Sequence, residues 1–146
     1  MFNKILFPVD GSDDSNKALN YVIDIANKYN SQVIVLHVHE VTGASYSHSG
    51  NHKYFYFTDE QVSRLLENSN SLLKEAEDKL INENIAVKTR LEKGRAGPEI
   101  VKVIGEENCD LVIMGSRGLS STSDFLLGNT SNHVIHHSES AVLLIH

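Results

Sequence analysis

The stretch Gly115-Ser-Arg-Gly-Leu-Ser-Ser-Thr-Ser-Asp-Phe-Leu-Leu-Gly-Asn129 places glycines, hydroxyls and one arginine between an apolar strand-like run and a helix-like segment. Such a loop suits an anion. Gly115 and Gly118 are expected to turn with positive φ and let the backbone come close to a ligand. Gly128-Asn-Thr-Ser131 opens the last helix, whose unbonded N–H groups and positive dipole end favour phosphate. Arg117 is the only Lys or Arg from Val103 to the C-terminus. A polyphosphate here would therefore rest on backbone N–H groups, hydroxyls and a metal ion, with Arg117 assisting. Glycine spacing by itself is weak evidence, since tight turns alone demand the same residues. There is no G-x-x-x-x-G-K-[ST] loop, and the first strand–helix turn has no G-x-G-x-x-G.

Other residues with chemical capacity are less organised. His37 and His39 alternate along a strand and share a face, and His48 and His52 lie in a long connection without the spacing of a known metal site. They read as packed or solvated histidines. His133 and His137 stand at i, i+4 on the last helix but lack an evident third ligand. Cys109 is the single cysteine and precedes an apolar run, so it reads as a small buried hydrophobe rather than a redox group. Tyr46, Tyr54, Phe55, Tyr56 and Phe57 either cover a ligand, dock a partner or simply pack. No nucleophile elbow G-x-S-x-G is present, and no base is evident for water attack on a phosphate. The expectation is at most slow hydrolysis, not a metabolic enzyme, with no catalytic residues and no protein metal site.

The elements that must hold these residues follow from periodicity. Lys4–Val9, Gln32–Val38, Ile85–Leu91, Asp110–Met114 and Ala141–Ile145 are short apolar runs. Between them lie amphipathic stretches. The first carries Ala18, Leu19, Val22, Ala26 and Tyr29 on one face, with Ser12 as its cap. The second starts at the capping box Thr58-Asp-Glu-Gln61 and carries Val62, Leu65, Leu66, Leu72, Leu73, Ala76 and Leu80. The third has Pro98 at its first position, and the fourth spans about Phe125 to His137. Alternating continuous strands and helices predict a parallel, doubly wound five-stranded α/β sheet with helices on both faces. The connection 39–57 is too long for an ordinary strand–helix link.

In such a sheet ligands bind beyond the carboxyl ends of the strands, where strand order reverses. If the order is 3-2-1-4-5, Asp10-Gly11-Ser12 and Gly115-Ser-Arg-Gly118 face one another there. Asp10 repels phosphate, so it is better placed to accept from a ribose hydroxyl or to act as an indirect Mg²⁺ partner.

With 146 residues, the chain predicts one domain, 1–146, with a core that needs no disulfide. Its hydrophobic content of 40%, charged content of 22% and net charge of −6 are those of a soluble protein. They argue against a general nucleic-acid or anionic-membrane binder. No apolar run approaches the ~20 residues of a membrane span, and no signal peptide is evident, so a cytoplasmic location is expected.

Over essentially its full length the chain resembles the universal stress protein family. The matching pieces are Ile5-Leu-Phe-Pro-Val-Asp-Gly-Ser12, Val33-Ile-Val-Leu-His-Val38, Cys109-Asp-Leu-Val-Ile-Met-Gly-Ser-Arg-Gly118 and Phe125-Leu-Leu-Gly128. Gly115, Gly118 and Gly128 keep both spacings of the G-x2-G-x9-G-[ST] motif of the family's ATP-binding subgroup. The resemblance implies a flavodoxin-like fold and a homodimer paired through the last strand, Ala141 to Ile145. It implies an adenosine pocket of Pro8, Val9, Asp10 and Val38. It places Met114, Gly115, Arg117 and Gly118 near ribose and the first phosphate, and Gly128, Asn129, Thr130 and Ser131 near the terminal phosphates. The implied function is an adenine-nucleotide-binding stress-response switch acting on an unknown protein partner. The implied ligand is ATP, with ADP, AMP or cyclic AMP as alternatives and Mg²⁺ as companion ion. A nucleotide-free dimeric interaction protein and a slow ATPase are the rival readings. Asn129 stands where the motif has Ser or Thr. As an N-cap its side chain would compete with phosphate for the same N–H groups. Ser140 stands where relatives often have proline.

Overall fold

The computed structural model describes residues 1–40, 59–119 and 127–146. The connection 41–58, with Tyr46, His48, His52, Tyr54, Phe55, Tyr56, Phe57 and the Thr58 cap, lies outside the described residues. So does 120–126, the middle of the glycine-bearing loop.

The chain runs β1 (Lys4–Pro8), α1 (Asp13–Tyr29), β2 (Gln32–His39), α2 (Asp59–Asn82), β3 (Val87–Lys93), α3 (Ala96–Glu107), β4 (Leu111–Gly115), α4 (Asn129–His137) and β5 (Ala141–Ile145). All neighbouring strands pair parallel, and their order is β3-β2-β1-β4-β5. This is the order that makes the ends of β1 and β4 the reversal point. Ile5, Leu6, Phe7, Val33, Ile34, Val35 and Leu36 are fully or nearly fully buried, as a sheet covered on both faces requires. One core joins Ile5, Phe7, Val33, Val35 and Ile113 to Ala18, Leu19 and Val22 of α1 and Leu73, Ala76 and Leu80 of α2. The other joins Leu6, Ile34, Leu36, Val112 and Met114 to Ile100, Val103 and Ile104 of α3 and Val134 of α4.

Local chemistry sets the element ends. Ser12 is extended (φ −69°, ψ 160°) and its hydroxyl accepts from the Ser15 N–H, so it caps α1 as expected. Helices α1 and α3 stop at Asn30 and Asn108, each left-handed at φ 52°, a conformation asparagine tolerates better than most residues. Tyr29 packs edge-on against Phe2 with ring centroids 5.3 Å apart. Three elements differ by more than one residue from the sequence expectation. Strand β3 begins at Val87 and runs on to Lys93. Helix α3 begins at Ala96 with Arg95 extended before it, so Pro98 is its third residue. A proline fits there because first-turn N–H groups have no intrahelical acceptor. Helix α4 begins at Asn129, with Gly128 extended at φ −63°, ψ 154°, four residues after Phe125.

The stripe assigned to α2 is buried only in part: Leu73, Ala76 and Leu80 are in the core, whereas Val62, Leu65 and Leu66 are exposed. Ser140, in the position where proline was noted, ties the turn before β5. Its hydroxyl donates to the Cys109 carbonyl at 2.6 Å and its N–H donates to Ser138 Oγ at 3.1 Å. Cys109 is buried, and burial first, then the charge of Glu107, pushes its thiol up to about 11. That keeps it a neutral thiol and an inert core group.

Candidate nucleotide site

The β1–β4 reversal opens into a cavity of about 540 Å³. It brings together every residue named for the site from sequence. Pro8, Val9 and Asp10 arrive from the end of β1, and Val38 from β2. Met114, Gly115, Arg117 and Gly118 come from the end of β4, and Gly128, Asn129, Thr130 and Ser131 from the start of α4.

The glycines earn their place differently from the expectation. Among the described glycines only Gly11 and Gly94 have positive φ, so Gly115 and Gly118 do not use the left-handed freedom assigned to them. Gly115 is small because α1 is close: a Cβ there would stand 2.9 Å from both Asp14 Cβ and the Ser15 backbone nitrogen. A Cβ on Gly118 would meet Asp10 Oδ2 at 3.3 Å, and one on Gly128 would meet the Ser116 carbonyl oxygen at 3.3 Å. The motif spacing thus closes three segments on one another around the cavity floor.

Asp10 Oδ1 accepts from the Ser12 N–H at 2.9 Å, which orients the carboxylate at the mouth of the loop. Asp14, an acid in the first turn of α1, is 5% exposed. Its Oδ2 accepts from Ser116 Oγ at 3.2 Å and from Arg117 Nε at 3.2 Å. Burial opposes its ionisation, but the hydrogen bonds from Arg117 and Ser116 and the charges of Arg117 and Lys17 outweigh that and hold its carboxyl below the ordinary range. The charge of Arg117 is therefore shared with Asp14 rather than held wholly for a ligand. Ser12 Oγ lies 3.4 Å from the Arg117 carbonyl oxygen, a further tie between α1 and the loop.

Helix α4 presents its first turn to the cavity. Its cap is Gly128, with no side-chain cap bond and no acidic residue in the first turn. Its first intrahelical bond runs from the Asn132 N–H to the Gly128 carbonyl. Asn129, Thr130 and Ser131 therefore carry N–H groups without intrahelical acceptors. Asn129 is the first helical residue, not the N-cap, so the expected competition between its side chain and a phosphate does not arise. Ser131 is buried and its hydroxyl lies within bonding distance of the Ser116 carbonyl (2.6 Å) and the Gly128 carbonyl (3.0 Å). With its one proton committed to these acceptors, its hydroxyl belongs to the scaffold, and Thr130 is the half-buried hydroxyl of the turn.

The sequence reading missed one wall, made of Glu40 and of Arg95, Ala96, Gly97, Pro98 and Ile100 at the start of α3. Gly97 is a contact point between helices, because a Cβ there would come within 2.9 Å of the His133 ring. The paired signal was Gly97-Pro98, which marks a tight helix entry next to the sheet's carboxyl end. His133, also in the lining, stacks on His137 with centroids 4.1 Å apart, and burial, then His137 and Arg95, lower its basicity. Stacked rings do not chelate, and no metal-holding group of three side chains occurs among the described residues. His37 Nδ1 lies 2.7 Å from the Val9 carbonyl oxygen, so it braces the β1 end and is not in the lining.

The family model for the universal stress protein family matches residues 1–146. The universal stress protein YxiE of Bacillus subtilis is 29% identical over 147 residues, covering 99% of each chain. Among solved structures, MJ0577 of Methanocaldococcus jannaschii superposes with a TM-score of 0.74 at 27% identity, covering 99% of this chain and 96% of that one. A universal stress protein solved in complex with cAMP gives a TM-score of 0.72 at 23% identity, with 99% and 97% of the two chains covered. An Arabidopsis thaliana family protein with AMP bound gives 0.66 at 17% identity, with 98% and 90% covered. At those identities the last two speak for the fold alone. No described helix is long and apolar enough to cross a membrane. Fold, motif and full-length match agree: the chain belongs to the universal stress protein family.

Proposed function

We propose that this chain binds an adenine nucleotide in the β1–β4 cavity and acts as a regulatory switch, not as a metabolic enzyme. The observation that carries the reading is the α4 start: uncapped N–H groups and no acid in the first turn, facing a cavity lined by both apolar and polar residues. A phosphate is held at the N–H groups of Asn129, Thr130 and Ser131, with Thr130 Oγ1 and the Asn129 amide as further donors. Asp10 accepts from the ribose hydroxyls. The base lies among Pro8, Val9, Val38 and Met114. Beyond the rung from the Val9 N–H to the Leu36 carbonyl, β2 runs on past β1, so its backbone is available to the base. Adenine is proposed as the base because the chain matches the universal stress protein family over residues 1–146, and proteins of that family have been solved with cAMP and with AMP.

Because Arg117 shares its charge with Asp14, the cavity favours AMP, ADP or cyclic AMP over ATP, and ATP would need Mg²⁺ to offset its charge. Occupancy changes the surface that Gly115 to Leu119 and Leu127 to Asn129 present and so alters binding of a protein partner. The exposed edge of β5 pairs with a second copy, which would satisfy its unpaired backbone, and the protein works in the cytoplasm. Mass spectrometry of the ligand released on denaturing freshly purified protein tests the reading. An adenine nucleotide near one per chain is expected, and neither carry-over nor binding of millimolar AMP, ADP, ATP or cyclic AMP would refute it.

A further inference from the structure

Glu40 follows the last residue of β2, two positions past Val38. Its carboxylate Oε1 accepts from the Ala96 N–H at 2.9 Å, the first N–H of α3. That bond draws the side chain back across the end of the sheet and holds it in the cavity wall. The lining there also holds Val38 of β2 and Arg95, Gly97, Pro98 and Ile100 at the α3 start, with His133 of α4 against Gly97. Arg95 is the other charged residue of this wall. The backbone of this wall offers the base little. Pro98 has no N–H, the Ala96 N–H is taken by Glu40, and the Gly94 N–H is taken by the His39 carbonyl at 3.1 Å. A carboxylate pinned by one oxygen keeps its other oxygen as an acceptor, and an ionised carboxylate can only accept.

The geometry points to Glu40 as a specificity residue that accepts a hydrogen bond from the exocyclic amine of the bound base through Oε2. It selects purine nucleotides carrying that amine over those lacking it. The inference rests on the nucleotide reading above, which assigns no role to Glu40. An acceptor at that position rewards an amine donor and repels a carbonyl. A site built to bond a donor discriminates through the partner left unpaired when the donor is missing. Glu40 is exposed, so the effect is that of one charge-assisted bond weakened by solvent.

The test compares binding of AMP and of purine riboside 5′-monophosphate, which lacks only the amine, to the wild-type chain, Glu40→Gln and Glu40→Ala. The expected result is an AMP affinity about fivefold lower in both variants, with purine riboside 5′-monophosphate unchanged. Glu40→Gln keeps a carbonyl for the Ala96 N–H and turns an NH₂ toward the base, so it separates recognition from support of α3. Equal losses for both nucleotides, or no loss for either, would overturn the role of Glu40 and leave nucleotide binding standing. Binding of neither nucleotide to the wild-type chain would overturn both.

Discussion

Of the three helices that start at the cavity, α1 and α4 use their first turns in opposite ways. Helix α1 is closed by its own residues: Ser12 caps it, Asp13 and Asp14 sit in its first turn, and Asp14 reaches into a buried bond set with Ser116 and Arg117. Helix α4 has a glycine cap with no side-chain bond and no first-turn acid. The same electrostatic device, the positive end of a helix, is met by side chains of the fold in α1 and left without them in α4, where the proposed phosphate would sit.

The sharpest way to break the α1 side is Gly115→Val. Its side chain would meet Asp14 Cβ and the Ser15 backbone at 2.9 Å, and backbone does not yield. A loss of about 3 kcal/mol in urea unfolding is expected. A change within 0.5 kcal/mol would mean that α1 and β4 are not in close contact.

Asp14→Asn comes next, with about 2 kcal/mol lost at neutral pH through its charge-assisted bonds. The pH dependence has a defined sign. The folded carboxyl titrates below its ordinary 3.8, so the stabilisation is complete above 3.8 and is lost as pH falls through the lower folded value. The stability gap between wild type and Asp14→Asn should therefore close in acid, and a gap that widens there would contradict the assignment. Ser12→Ala removes the α1 cap at about 1 kcal/mol, readable as a lowered melting temperature, and an unchanged one would argue that Ser12 does not carry the cap.

Much of this contrast is readable in the chain. Continuous apolar strands, Ser12 as a cap and the glycine spacing lead to the sheet and to the cavity residues. What escapes depends on distant partners. Asp14 and Arg117 are 103 positions apart, and only the crossover of α1 onto β4 turns a first-turn acid into the anchor of the loop. Gly115 and Gly118 look like turn glycines because sequence shows flexibility, whereas the cause is what packs against them. Gly97 against His133 and Glu40 on the Ala96 N–H are likewise tertiary. The α3 start was misplaced because Arg95 carries no capping signal and Pro98 is tolerated beyond the first position. Asn129 looks like a cap by residue type, and the extended backbone of Gly128 moves the cap one residue earlier.

Asn129→Asp would make α4 resemble α1, and titration calorimetry with AMP on that variant and the wild type is the most direct test. The account predicts saturable binding by the wild type. It predicts at least about tenfold weaker binding by the variant, because the new charge repels phosphate. The variant should also be as stable or up to about 0.5 kcal/mol more so, because the acid suits the dipole. No heat of AMP binding to the wild type, or equal affinity in both proteins, would contradict it.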